Sequence, residues 1–112
     1  MADDRELVSL DEAAELLGVS TRRITQLLGE GELVAAREDG GARQIPTAFL
    51  HDGAVVKALP AVITLLRDAH YSDDEIIEWL FRAEESLPGT PIQALRDNRG
   101  REVKRRAQVA GF

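Results

Sequence analysis

Ser9-Leu-Asp-Glu12 is the stretch that most constrains this chain. A serine followed three residues later by a glutamate can satisfy the orphan N–H groups at the start of a helix. Leu10, Ala13, Ala14 and Leu17 then recur at i, i+3, i+4 and i+7, the spacing of one buried helical stripe. Gly18 ends that helix, which spans about residues 10–17. Ser20 is placed to cap a second helix, about 20–28, with Gly29 closing it. The alanines of the first helix let the two cross closely.

Leu33-Val-Ala-Ala36 and Ala42-Arg-Gln-Ile45 read as extended runs around Glu38-Asp-Gly-Gly41. An Asp-Gly pair supplies the positive φ angles that a tight hairpin needs, and Pro46 ends it. Thr47-Ala-Phe-Leu50 has the length of one helical turn, His51-Asp-Gly53 reads as a bend and Ala54-Val-Val56 as extended. Pro60 suits the first turn of a helix at about 60–69 that buries Val62, Ile63, Leu65 and Leu66. Ser72-Asp-Asp-Glu75 is a second capping box, opening a helix at about 73–84 with Ile76, Ile77, Leu80 and Phe81 inward. A loop at 87–90, a short helix at 91–96, a turn at 98–100 and a last helix near 101–110 follow.

The predicted class is mainly α with a small β-hairpin: a winged helix-turn-helix plus a C-terminal helical subdomain. Residues 1–8 are expected to form a flexible tail, 9–59 the winged unit and 60–112 the helical subdomain. Trp79, Phe81, Leu87, Ile92, Leu95 and Val103 are its candidate core.

Burying Ile24, Leu27 and Leu28, at ~100° per residue, turns Arg22 and Gln26 outward with Arg23 and Thr25 flanking them. Ser20 and Thr21 sit near the N-terminal end of the same helix. Arginine, glutamine and threonine are side chains that reach base edges and phosphates in a major groove. The hairpin brings Arg37, Arg43 and Gln44 to the base of a glycine-rich tip, close to where a sugar-phosphate backbone would run. Glu38 and Asp39 at that tip would repel phosphate, so contact is expected through the stems. Arg101, Lys104, Arg105 and Arg106 form a basic stripe on the last helix. It serves either as a solvated end that offsets the helix dipole or as a second phosphate contact.

A net charge of -6 argues against nucleic acid only if it is spread evenly. It is not: residues 1–19 carry one base and six acids, and 46–90 carry three bases and eight acids. Residues 20–45 balance four arginines against four acids, and 91–112 hold six bases against two acids. The local field therefore permits a duplex, with weaker and more salt-sensitive binding than a basic domain gives.

The segments Leu10-Asp-Glu-Ala-Ala-Glu-Leu-Leu-Gly-Val-Ser20, Arg22-Arg-Ile24, Gln26-Leu-Leu28, Gly31-Glu-Leu33 and Ile45-Pro46 resemble the winged helix-turn-helix of MerR and excisionase-type proteins. Ile63-Thr-Leu-Leu-Arg-Asp-Ala-His-Tyr-Ser-Asp-Asp-Glu-Ile76 resembles the MerR segment that follows the wing. Taken whole, residues 8–112 look like a small actinobacterial DNA-binding family typified by a mycobacterial serine/threonine-kinase substrate. The resemblance implies sequence-selective binding of double-stranded DNA by a transcriptional regulator, with recognition roles at Thr21, Arg22, Arg23, Thr25 and Gln26. Trp79-Leu-Phe81, Leu87-Pro-Gly-Thr-Pro-Ile92, Ala94-Leu-Arg96 and Arg99-Gly-Arg-Glu-Val103 are similar to the toxin-binding segment of ParS/Xre-type antitoxins. That similarity implies the alternative, an adaptor or antitoxin-like module that binds a protein partner through its C-terminal helices, set against the plainer reading in which those helices only cap and stabilise the winged unit.

Departures from MerR regulators narrow the expectation. There is no room for their dimerising coiled coil and no cysteine for an effector site, so no metal or cofactor is expected. Monomer and weak dimer both stay open. No Ser or Thr precedes Ser9, so kinase control of an N-terminal extension is not expected. His51 and His70 lack metal-ligand spacing, and no nucleophile–base pair can be named, so an enzyme is not expected. Gly29-Glu-Gly31 and Gly40-Gly41 lead into strands rather than helix N-termini. Trp79 and Tyr71 are too few for single-strand stacking. No apolar run approaches the ~18 residues that cross a bilayer, and a cytoplasmic location is expected.

Overall fold

The computed structural model describes residues 6–37, 41–83 and 89–110. Strand β1 (Leu7–Ser9) leads directly into α1 (Leu10–Leu17). The Ser9 Oγ accepts from the Glu12 N–H at 3.1 Å, while the Glu12 carboxylate accepts from the Ser9 N–H, closing the expected capping box. Gly18 takes φ 69° and its N–H donates to the last carbonyls of α1, a geometry that strains any residue with a Cβ. Ala13 and Ala14 are buried where α2 (Thr21–Glu30) crosses.

α2 runs one residue past Gly29 to Glu30, and Gly31 is the stop. Both glycines could have ended the helix. Gly31 does so because it adopts φ 79° while the Glu32 N–H returns to the Leu27 carbonyl at 3.0 Å, satisfying the end of the ladder. The Arg67 guanidinium lies over Gly31, where a Cβ would meet Nη1 at 3.1 Å. Glu30 thereby joins α2.

β2 (Ala36–Arg37) and β3 (Arg43–Pro46) form the hairpin, whose tip at 38–40, with Glu38 and Asp39, lies outside the described residues. The sheet has three strands in the order β1-β3-β2. Val8 pairs with Ile45 and Leu7 with Pro46, so residues 7 and 8 belong to the folded unit and not to a tail. Val8 packs on the core, and the Glu6 carbonyl accepts from the Thr47 N–H at 2.9 Å. A 3₁₀ turn at Thr47–Phe49 leads to a second hairpin, β4 (Leu50–His51) and β5 (Ala54–Val55). Its central pair Asp52-Gly53 has φ 50° and 75°, the positive values of a type I′ turn.

α3 (Leu59–Asp68), α4 (Asp73–Phe81), α5 (Pro91–Arg96) and α6 (Gly100–Val109) complete the chain. α4 ends at Phe81, short of the expected 84, because Arg82 turns extended; residues 84–88, including Leu87, lie outside the described residues. Ser72 and Glu75 close the second box. The Ser72 N–H, donated at 2.8 Å, holds the Glu75 carboxyl below the usual carboxylate range. Val62, Ile63, Leu66, Ile76, Leu80, Phe81, Ile92, Leu95 and Val103 are buried as expected, whereas Leu65, Ile77 and Trp79 are half-buried.

The winged unit and the C-terminal helices share one hydrophobic cluster. Phe49 stacks on Phe81 with ring centroids 5.9 Å apart, and Arg96 of α5 donates to the Ala48 and Leu50 carbonyls at 2.8 and 2.9 Å. The Tyr71 hydroxyl donates to the Ala110 carbonyl at 3.3 Å, tying the end of α6 to the α3–α4 turn.

The start of α6 is tight. A Cβ on Gly100 would lie 2.7 Å from the Ala58 Cβ, and Ala58 itself holds φ 71°. Gly100→Ala is expected to destabilise by about 1–3 kcal/mol through overpacking. Ala58→Gly removes both the opposing methyl and the backbone strain, and should restore most of that loss. Urea unfolding of the two single variants and the double variant measures the coupling; additive effects would remove the steric explanation.

Candidate nucleic-acid interface

α2 presents one aliphatic side and one polar side. Ile24, Leu27 and Leu28 are buried, and Thr21, Arg22, Arg23, Thr25 and Gln26 are all exposed. Ser20 caps the helix by accepting from the Arg23 N–H at 3.1 Å, so its hydroxyl oxygen serves the helix first. Thr25 donates back to the Thr21 carbonyl at 3.4 Å. Thr21 donates to the Asp11 carboxylate of α1 at 2.7 Å, which fixes its rotamer. Arg22 is exposed and has no hydrogen-bond or ion-pair partner among the described residues.

Two other outward groups are held by Glu30. Arg23 lies 3.7 Å from its carboxylate, and the Gln26 amide donates to it at 3.1 Å. Sequence reasoning missed Glu30 because it closed the helix at Gly29. The signal was nevertheless present, since Glu30 stands at i+4 from Gln26 and i+7 from Arg23.

On the hairpin, Arg37 and Arg43 are cross-strand partners in the β2–β3 register. Directly opposed residues share a face with Cβ atoms ~5 Å apart, where like charges repel. Neither arginine has a carboxylate partner among the described residues. Such a pair is relieved when an anion sits between the guanidinium groups. Gln44, opposite Ala36 and Ser9, is half-buried in the middle strand.

The expected basic stripe of α6 divides. With Val103 and Ala107 buried, Arg101 and Arg105 are exposed and Lys104 is half-buried beside them. Arg106 lies on the other flank and donates to the Glu102 carbonyl at 3.5 Å.

No polar or charged side chain among the described residues is buried, and no group of three or more potential ligands could hold a metal ion. His51 lies between Arg96 and Asp52, 3.3 Å from each. No helix among the described residues is long and apolar enough to cross a membrane.

These features agree with what the chain is similar to. Residues 1–50 match the family model described as DNA-binding protein Rv2175c, wHTH domain, and residues 56–111 match the Rv2175c C-terminal domain of unknown function. The DNA-binding protein Rv2175c of Mycobacterium tuberculosis is 40% identical over 121 residues, covering 97% of this chain and 83% of that protein. The NMR structure of Rv2175c aligns with a TM-score of 0.87 at 38% identity, over 100% of this chain and 85% of that one. With both halves matched and the helix-turn-helix, wing and C-terminal helices in place, this chain belongs to the Rv2175c family.

Proposed function

We propose that this chain binds double-stranded DNA sequence-selectively, as a non-enzymatic cytoplasmic transcriptional regulator with a MerR/excisionase-like winged unit. α2 enters the major groove, where Arg22 and Gln26 face base edges and Arg23, Thr21 and Thr25 lie alongside. The observation that carries this reading is the outward, unpartnered Arg22 on a helix whose aliphatic side is wholly buried. The name of the mycobacterial relative supports it. Arg37 and Arg43 straddle one phosphate, Gln44 supports them, and Arg101, Lys104 and Arg105 supply a second backbone contact that offsets the acidic remainder.

Replacing Arg37 and Arg43 by alanine should weaken selected and unselected duplexes by the same factor. It should also reduce the slope of log K against log salt by about 1 per lost phosphate contact. Fluorescence-anisotropy titrations at several salt concentrations measure both quantities. Wild-type affinity and slope in the double variant would take the hairpin off the duplex.

A second reading places a protein partner on the C-terminal helices. It is favoured by half-exposed Trp79 beside a depression of about 220 Å³ that it lines with Tyr71, Glu75, Glu78 and Arg82.

A further inference from the structure

Glu30 is an odd residue for its position. The C-terminal end of a helix carries partial negative charge, so a carboxylate in the last turn is disfavoured there. Capping does not require it, because the Gly31 backbone closes α2. Its side-chain contacts face outward instead: Oε1 is 3.7 Å from Arg23 Nη1, and Oε2 accepts from Gln26 Nε2 at 3.1 Å. Asp11, which holds Thr21 at the other end of α2, differs because it sits in the first turn of α1, where an anion is favoured.

We propose that Glu30 is a specificity-determining residue, a resident anion that keeps Gln26 positioned when a matching duplex is bound and occupies Arg23 until a phosphate competes for it. The inference rests on α2 being the helix that enters the groove. With Nε2 turned to Glu30, Gln26 offers its carbonyl oxygen and one remaining amide hydrogen to a base. That pattern matches the amino donor and N7 acceptor of adenine. On a non-matching duplex only phosphate attraction is available, and Arg23 must leave one anion to reach another. The carboxylate also repels the backbone directly. Glu30 therefore weakens non-specific binding more than specific binding, and the ratio between them rises.

Glu30→Gln removes the charge at constant shape, and Glu30→Ala removes the contact as well. The probes are a duplex selected from a random-sequence pool by the wild-type protein and the unselected pool itself, each titrated at several salt concentrations. Glu30→Gln is expected to tighten binding to the pool about tenfold and to steepen its salt slope by about 1, as Arg23 becomes free for a phosphate. Affinity for the selected duplex should change less than threefold, so selectivity falls. In the free protein, the Gln26 side-chain amide resonances should move in Glu30→Ala, and both variants should melt with the wild type.

An equal change on selected and unselected duplexes, or none, overturns the role of Glu30 while leaving the groove reading intact. Failure of the wild-type protein to enrich any sequence overturns the groove reading, and the selectivity role falls with it. Unmoved Gln26 resonances overturn the positioning contact whatever the DNA titrations show.

Discussion

Arg22→Ala is expected to lower affinity for a selected duplex by about 5- to 150-fold, the equivalent of ~1–3 kcal/mol, without moving the unfolding transition. The guanidinium makes no hydrogen bond or ion pair among the described residues, so its removal leaves no unpaired group behind and costs the fold little. In a major groove the same group can place two parallel N–H donors on guanine O6 and N7, which a truncated side chain cannot imitate. The loss should therefore be largest on the preferred sequence, with discrimination relaxed at one base pair. A uniform loss across sequences would reassign Arg22 to a phosphate, and wild-type affinity would remove α2 from the interface.

Phe49→Ala is the variant expected to damage the fold most, by about 3–5 kcal/mol. Phe49 is fully buried at the 3₁₀ turn after the wing and stacks on Phe81 of α4, so it belongs to both halves of the molecule. A domain of this size is held by about 5–15 kcal/mol in total, so the variant should be partly unfolded at physiological temperature. Trp79 fluorescence reports the C-terminal helices, while far-ultraviolet circular dichroism reports all the helices. The two should show one shared urea transition in the wild type and one shared, earlier transition in the variant. Separate transitions would mean that the segments matched by the two family models unfold independently.

Features that close within four residues were legible in the sequence. The capping boxes at Ser9 and Ser72, the stop at Gly18 and the outward direction of Arg22 and Gln26 all follow from short-range hydrogen bonding and a buried stripe. The arginines of the hairpin were legible as types, but not as directly opposed partners. That pairing depends on strand register, and a slip of one residue would place them on opposite faces. Glu30 was missed for a similar reason, since its access to Arg23 and Gln26 depends on which of two glycines ends α2.

Short hydrogen-bonded loops in the local chain were enough to specify where α1, α2 and α4 begin, and a buried stripe set which side of α2 faces solvent. Packing between distant segments chose the rest. Leu7 and Val8 become a strand only because Ile45 and Pro46 lie alongside, and Arg67 comes to rest over Gly31 only once α3 has docked. The end of α4 and the division of the α6 cations likewise answer to neighbours far along the chain. Burial against a remote partner leaves no periodic trace in a run of two or three residues, so such features emerge only when the core assembles.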